Sequence, residues 1–259
     1  MLSAHPDTPK RLLDWGRIAR DYALYRPAPP DSYFARLQER GVGLKEQNIL
    51  DLGTGSGLIA RGFAARGARV VGVDLVPELV REAGKQAREE FVDAHFVVGD
   101  VADLPLPDAW FDVLTAHQCW GDFEAGAASR EAARVLRPGG RLVISHFAWL
   151  PRESEIAQAS ERLILKHNPH WGSFNWSGQA PPVSVEGEFR LLAALSFDEE
   201  VAFNRESWRG RLRTSRGIGP VLSEPDLRRF DREVEDMLKR RAPGEFRIPH
   251  RVDLRLYEI

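Results

Sequence analysis

The chain has 259 residues, 43% of them apolar, a composition typical of a folded globular protein with one sizeable core or a domain with a subdomain. The formal net charge of −2 argues against a nucleic-acid partner, and no stretch approaches the roughly 20 apolar residues that a membrane-spanning helix needs. Cys119 is the single cysteine, which excludes an intrachain disulfide and a cysteine zinc cluster and makes a cytoplasmic setting the default expectation.

The N-terminal segment predicts two short helices. Apolar residues recur at helical spacing between Leu12 and Ala19, which indicates a helix from Arg11 that ends in the proline-bounded run 27–30. A second helix is predicted from Asp31, which can cap it, to the residue before Gly41.

Residues 48–60 are the most informative stretch. The apolar run 48–52 contains one acid, Asp51, and glycine then follows at positions 53, 55 and 57 before a helical pattern begins. The order predicts a strand, a tight glycine turn and a helix. Glycine suits such a turn because it adopts positive φ and lets a ligand approach the backbone closely. A turn that binds nothing is the alternative.

A second buried-strand run, residues 68–74, ends in Asp74. An acid in this place can accept both hydroxyls of a ribose, which fits NAD as well as S-adenosylmethionine. The dinucleotide fingerprint needs a third glycine. Counted from the first glycine of the turn that position is Leu58, and counted from the second it is Ala60, which the looser fingerprint allows. NAD is therefore disfavoured and not excluded.

Beyond Asp74 the chain continues to alternate helix and strand. The predicted elements are a helix over 77–90, strands over 94–98 and 111–116, a helix over 124–136 closed by Arg137-Pro138-Gly139-Gly140, and a fifth strand over 141–147. Such alternation predicts a parallel sheet with helices on both faces, whose ligands bind at the carboxyl ends of the strands.

The remainder of the chain is less regular. We predict a helix over 152–167, a loop over 168–187 rich in proline, glycine and tryptophan, strands over 195–203 and 250–259, and a helix over 225–241. Residues 152–190 are expected to form a helix-and-loop insertion that contributes to a substrate pocket.

The pattern Asp-x-Gly-x-Gly-x-Gly from Asp51 to Gly57 resembles the first motif of class I S-adenosylmethionine-dependent methyltransferases. The resemblance covers roughly residues 11–150. It implies an α/β fold, doubly wound and Rossmann-like, with a mostly parallel seven-stranded sheet and an antiparallel last strand beside the fifth. It also implies an N-terminal helical lid over residues 1–44, a methyltransferase domain over 45–259, and S-adenosylmethionine as cofactor.

Gly99-Asp100-Val101 extends the resemblance to the end of the third strand. An acid here accepts from the adenine amino group in the resembled fold, and the next backbone N–H reaches a ring nitrogen. A capping aspartate is the alternative. The cofactor-binding residues expected in this way are Tyr22, Asp51, Gly53, Thr54, Gly55, Gly57, Asp74, Leu75, Asp100, Val101 and His117.

The segment after the fourth strand departs from the family pattern. Small-molecule relatives that resemble trans-aconitate methyltransferases have Gln-x-x-His-Trp here, whereas this chain has Gln118 and Trp120 followed by Gly121-Asp122. An inherited catalytic histidine is thereby put in doubt. His117 and His146 stand at predicted strand ends and could accept a proton from a nucleophile. The catalytic candidates are His117, Gln118 and His146, with structural roles as the alternative, and no metal is expected.

Trp120, Trp149 and Arg209 are the candidate substrate-binding residues. Four arginines between positions 209 and 216 could bind an anionic group, or could form a solvated helix end. We expect in-line methyl transfer to a carboxylate or hydroxyl oxygen of a small molecule, without nucleic acid or membrane as partner. The alternatives are a cofactor-binding protein without transfer activity, a protein or tRNA methyltransferase, and an NAD-dependent oxidoreductase.

Overall fold

The structure is a computed structural model that describes residues 13–172, 176–179 and 182–259. The strands are β1 (Asn48–Leu52), β2 (Arg69–Asp74), β3 (Ala94–Val98), β4 (Phe111–His117), β5 (Leu136–Trp149), β6 (Arg190–Asn204) and β7 (Glu245–Glu258). The α-helices are α1 (Ala19–Tyr25), α2 (Asp31–Gln38), α3 (Leu58–Ala64), α4 (Pro77–Glu89), α5 (Ala125–Val135), α6 (Glu155–His167), α7 (Arg205–Arg213) and α8 (Glu224–Arg241).

The seven strands form one sheet in the order β3-β2-β1-β4-β5-β7-β6. The pairs β2–β3, β1–β2, β1–β4 and β4–β5 are all parallel. β7 is antiparallel to β5, because Gly139 near the start of β5 bonds to Ile259, whereas Leu150 just after its end bonds to Pro249. The predicted fold and the place of the antiparallel strand are confirmed. The strand order reverses between β1 and β4, and ligands bind at such a switch point.

The chain divides into two compact units. Unit one takes the described residues up to Pro27, those of Ala148–Pro181, and Asp198–Arg251. Unit two takes Ala28–Phe147, Pro182–Phe197 and Val252–Ile259. The predicted division into a lid over 1–44 and a domain over 45–259 stays a prediction.

Each unit has its own apolar core. In unit two, side chains of β1, β4 and β5 such as Leu50, Leu114 and Leu142 are fully buried. This burial is expected because helices cover both faces of a parallel sheet. In unit one Trp208 and Phe230 of α7 and α8 are fully buried. Each such side chain contributes about 1.5 to 3 kcal/mol of burial free energy.

Four predicted boundaries were wrong. α1 begins at Ala19, because residues 13–15 are not helical and Gly16–Ile18 is a single 3-10 turn; residues 11 and 12 lie outside the described part. β5 begins at Leu136 and includes the run predicted as a helix stop, since Gly139 has φ 74° and pairs with Ile259.

The other two boundaries concern the last strands. β6 begins at Arg190, five residues before the predicted start at Leu195. β7 begins at Glu245, before the predicted start at His250, and contains Pro249. The strand accommodates Pro249 because proline lacks only the backbone N–H. Its carbonyl still accepts a hydrogen bond from the N–H of Leu150 over 2.8 Å.

Candidate functional site

The glycine turn joins β1 to α3 in unit two. Gly53, Gly55 and Gly57 have φ of 59°, 57° and 78°, a region that residues with a Cβ rarely adopt. A Cβ on Gly57 would lie 2.8 Å from the Phe96 ring, and one on Gly53 would lie 2.8 Å from Cys119 Sγ. Backbone conformation and space therefore both require glycine, and the turn presents bare backbone at the carboxyl end of β1.

Asp51 anchors this turn from inside β1. Its carboxylate is 1% exposed and accepts hydroxyl hydrogen bonds from Thr115 of β4 over 2.6 Å and from Thr54 of the turn over 2.7 Å. Burial raises the pKa of Asp51 to about 6. The two hydroxyl hydrogen bonds lower the pKa and so oppose this rise, whereas the charge of Asp74 adds to it. Asp51 thereby ties the turn to the neighbouring strand at the switch point.

Asp74 stands at the carboxyl end of β2, facing the same turn. Its carboxylate accepts from the N–H of Gly55 over 2.8 Å and from the N–H of Val76 over 2.9 Å. Burial raises the pKa of Asp74, and these backbone hydrogen bonds oppose the rise. The next side chain, Leu75, is 64% exposed. An acid and an exposed apolar side chain therefore lie beside the bare backbone of the turn.

Gly72 of β2 is a contributor that the sequence reasoning missed. A Cβ there would lie 2.6 Å from the Thr54 hydroxyl and 2.7 Å from the Phe96 ring. Glycine inside the Val-Val-Gly-Val run was the available signal, because glycine in a strand often marks a close approach.

Asp100 begins a turn at the end of β3. Its Oδ1 accepts from the N–H of Ala102 over 2.9 Å, and its carbonyl accepts from Asp103 over 3.2 Å. This is a capping role, but a carboxylate has about four acceptor positions and can hold a ligand as well. Val101 is buried, with 6% exposure.

His117, which is half-buried, ends β4 and begins a hydrogen-bonded chain with two buried groups. Its Nδ1 hydrogen-bonds with Ser145 Oγ over 2.9 Å, and Ser145 Oγ hydrogen-bonds with the Tyr33 hydroxyl over 3.0 Å. Burial raises the pKa of Tyr33, so the phenol stays protonated. The chain fixes the orientation of the imidazole. The sequence reasoning missed Tyr33 and Ser145, although a lone serine in a buried strand run was a signal.

Gln118 has φ 62°, a left-handed backbone that costs a residue other than glycine about 1 to 3 kcal/mol. Its backbone N–H donates to the Ser145 carbonyl over 2.8 Å, and its side-chain amide donates to the Phe147 carbonyl. These bonds between β4 and β5 hold the strained residue in place. Strain of this kind is concentrated at functional sites.

His146 and Trp120 are the other candidates in unit two. Burial lowers the pKa of His146 to about 4, with Arg255 lowering it further and Asp122 opposing. The imidazole is therefore neutral at pH 7. Trp120 is 3% exposed within the core, and its indole N–H donates to the Ser184 carbonyl over 2.8 Å.

Three candidates lie in unit one: Tyr22, Trp149 and Arg209. Tyr22 contacts an arginine, since the guanidinium of Arg26 lies 4.7 Å from its ring centroid. The indole N–H of Trp149 donates to Glu161 over 3.0 Å. Arg209 pairs with Asp231.

A separate cleft of about 330 Å³ lies beside α5 in unit two, lined in part by Ser129, Arg130 and Glu186. It contains none of the motif residues. In the part of the chain that the structure describes, no helix is long and apolar enough to cross a membrane.

The residues at the switch point fit an adenosine-containing cofactor. The three glycines of the turn present backbone without side chains, and the Asp74 carboxylate is bonded to the N–H of Gly55. Their place on a sheet of this order defines a class I methyltransferase fold.

Comparisons with known proteins agree. Residues 50–144 match the family model described as "Methyltransferase domain". A protein named ubiquinone biosynthesis O-methyltransferase from Xanthomonas oryzae pv. oryzae is 30% identical over 191 residues, 73% of this chain and 77% of the relative. A solved structure of a type II methyltransferase from Anaeromyxobacter dehalogenans has a TM-score of 0.63 at 23% identity, covering 90% of this chain and 97% of that one.

A second solved structure, a methyltransferase from Bacillus halodurans, has a TM-score of 0.51 at 20% identity and covers 88% of this chain and 98% of that one. At these identities the two structures show the fold. The chain belongs to the S-adenosylmethionine-dependent methyltransferase family. It is an enzyme of that class, and its cofactor is S-adenosylmethionine, which decides against NAD.

Proposed function

We propose that this enzyme methylates a hydroxyl oxygen of a small organic molecule. The observation that carries the proposal is the similarity, over 73% of the chain, to a relative whose name specifies an O-methyltransferase. Within the chain, the proposal is supported by two histidines near the carboxyl ends of β4 and β5, His117 and His146. A hydroxyl nucleophile must lose a proton, and a neutral imidazole can accept it.

The cofactor contacts are part of the proposal. Gly53, Gly55 and Gly57 would let the cofactor approach the backbone, the Asp74 carboxylate would accept the ribose hydroxyls, and Leu75 would pack against the nucleoside. Asp100 and the backbone of Val101 would contact the adenine. Asp51 and Thr54 would hold the turn in shape from behind. We keep Tyr22 as a cofactor candidate from the resemblance alone.

When bound, S-adenosylmethionine supplies an electrophilic methyl group on a sulfonium, so the protein needs mainly to align the acceptor and exclude water. His117 is the preferred base, because the hydrogen bond between its Nδ1 and Ser145 Oγ holds the ring in one orientation. His146 is the second candidate. Gln118 would position the segment after β4 through its bonds to β5. Trp120, Trp149 and Arg209 remain substrate-binding candidates.

A carboxylate acceptor is the second reading, since a carboxylate is already ionised and needs no base. The test is a screen of hydroxylated and carboxylated metabolites with a radiolabelled methyl donor and purified enzyme, followed by product identification. We expect label on a hydroxyl oxygen. Label in protein or tRNA, with no small molecule turned over, would show that the proposal is wrong.

A further inference from the structure

The arginines of α7 in unit one differ in their partners. Arg209 and Arg213 both form ion pairs with Asp231 of α8. Arg211, between them, is 4% exposed, and its Nε and Nη1 have no hydrogen-bond partner among the described residues. Buried charged donors are normally paired, because an unpaired one forfeits its hydration without compensation. Arg211 therefore needs an explanation.

An aromatic ring accounts for the position of Arg211 but not for its donors. The guanidinium carbon lies 4.6 Å from the ring centroid of Trp149, a favourable cation–π distance. The ring face attracts the charge, yet the N–H groups lie in the guanidinium plane and still need acceptors. Glu161 lies on the same tryptophan and accepts from its indole N–H.

A second cation, Arg26, acts on Arg211. Burial and the charge of Arg26 lower the pKa of Arg211 well below its ordinary value, and Tyr22 opposes them. Burial also lowers the pKa of His250 to about 3, with the Ile248 carbonyl opposing and the charges of Arg211 and Arg26 lowering it further. An anion in this place would interact favourably with both guanidinium groups.

We propose that Arg211, together with Arg26, binds the carboxylate of a small organic molecule in unit one. A carboxylate matches the planar donors of a guanidinium, and aromatic rings hold both guanidinium groups, Trp149 that of Arg211 and Tyr22 that of Arg26. The site rests on the contacts of unit one alone. The carboxylate site is therefore proposed for unit one by itself.

The binding test compares two matched probes, 3,4-dihydroxybenzoate and 3,4-dihydroxybenzamide, by calorimetry on full-length enzyme saturated with S-adenosylhomocysteine. We expect the acid to bind about tenfold more tightly than the amide, as a charge-assisted pair implies. Arg211→Gln should bring the two affinities within about twofold. Arg228→Gln, which removes an exposed arginine of α8 paired with Glu224, should keep the preference. Equal binding of both probes to the wild type, or a preference retained in Arg211→Gln, would overturn the site.

Thermal unfolding separates binding from a structural role. If Arg211 binds an anion and has no structural role, Arg211→Met should not lower the melting temperature of the enzyme measured without the acid. Addition of 3,4-dihydroxybenzoate should then raise the melting temperature of the wild type and not that of Arg211→Met. A lowered melting temperature with an unchanged shift by the acid would make Arg211 structural. Displacement of the acid by an equal concentration of inorganic phosphate would show that the carboxylate assignment is wrong. The affinities of the two probes decide the anion site alone, and the metabolite screen decides the O-methylation proposal.

Discussion

The backbone N–H of Gly55 donates to Oδ2 of Asp74 over 2.8 Å, which joins the glycine turn after β1 to the end of β2. The acid expected to bind the ribose thus also holds the turn. Because a carboxylate has several acceptor positions, both roles can coexist. The bond fixes the distance between the acid and the bare backbone of the turn.

Asp74→Ala should weaken the binding of S-adenosylhomocysteine by about 1 to 3 kcal/mol, because a charged hydrogen-bond acceptor is lost. Calorimetric titration gives the affinity directly. Asp93→Ala is the control, since Asp93 lies in the exposed segment before β3 with its side chain 94% exposed. Unchanged affinity in Asp74→Ala would refute the ribose assignment.

Gly57→Ala should destabilise the fold by about 1 to 3 kcal/mol, because the residue has φ 78° and its Cβ would lie 2.8 Å from the Phe96 ring. Gly84→Ala is the matched change within α4, where the Cβ would find Arg88 Nη1 at 3.5 Å. It should stabilise the protein by about 0.5 to 1 kcal/mol, as alanine does in a helix. Urea unfolding measures both, and equal effects would contradict the requirement for glycine.

His117→Asn should lower the rate of methyl transfer to a hydroxyl acceptor by about 10² to 10⁴ if His117 is the base. The binding of S-adenosylhomocysteine should change little. His146→Asn is the parallel variant, and a large loss there alone would move the base to β5. If the acceptor atom proves to be a carboxylate oxygen, both variants should keep their rates, since no proton is removed.

The stability of the protein should depend on pH through His146. The pKa of His146 in the folded protein is about 4, below the ordinary 6.5, so the unfolded chain binds the proton first as the pH falls. The stability that the neutral imidazole contributes to the fold is therefore complete above pH 6.5 and is lost as the pH falls towards 4. The loss between pH 7 and pH 5 should be about 2 kcal/mol. Asp51, with its pKa raised to about 6, acts in the opposite direction.

The difference between wild type and His146→Asn isolates this contribution, because Asp51 is present in both proteins and cancels. Between pH 7 and pH 5, urea unfolding should show that the wild type loses about 2 kcal/mol more unfolding free energy than His146→Asn does. A difference that does not change with pH would mean that the imidazole is hydrated and titrates normally.

The sequence predicted the parallel part of the sheet because its signals are local. A short apolar run followed by glycines, and another ending in Asp74, each carry their own evidence of strand and turn. The limits of β5 and β7 were missed for the same reason. The Pro138-Gly139 pair and Pro249 are local breakers, but whether a strand tolerates them depends on which backbone groups its neighbours use.

The candidate site divides in the same way. Asp51, Thr54 and Asp74 lie within one motif or at a strand end, and the structure joins them through the glycine turn. Tyr33 and Ser145 could not be paired from the sequence, because 112 positions separate them. The environment of Arg211 could not be predicted either, since the second half of α7 has arginines at positions 209, 211 and 213 and only packing distinguishes the middle one.

The position of β7 between β5 and β6 also bears on how the protein folds. Gly139 in β5 bonds to Ile259, far along the chain, so the middle of the sheet cannot close until that distant segment has entered it. Contacts so remote in sequence form slowly, and until they form β5 presents an open row of N–H and C=O groups. A refolding intermediate with this exposed edge would pair with other molecules at high concentration, so refolding yield should rise on dilution.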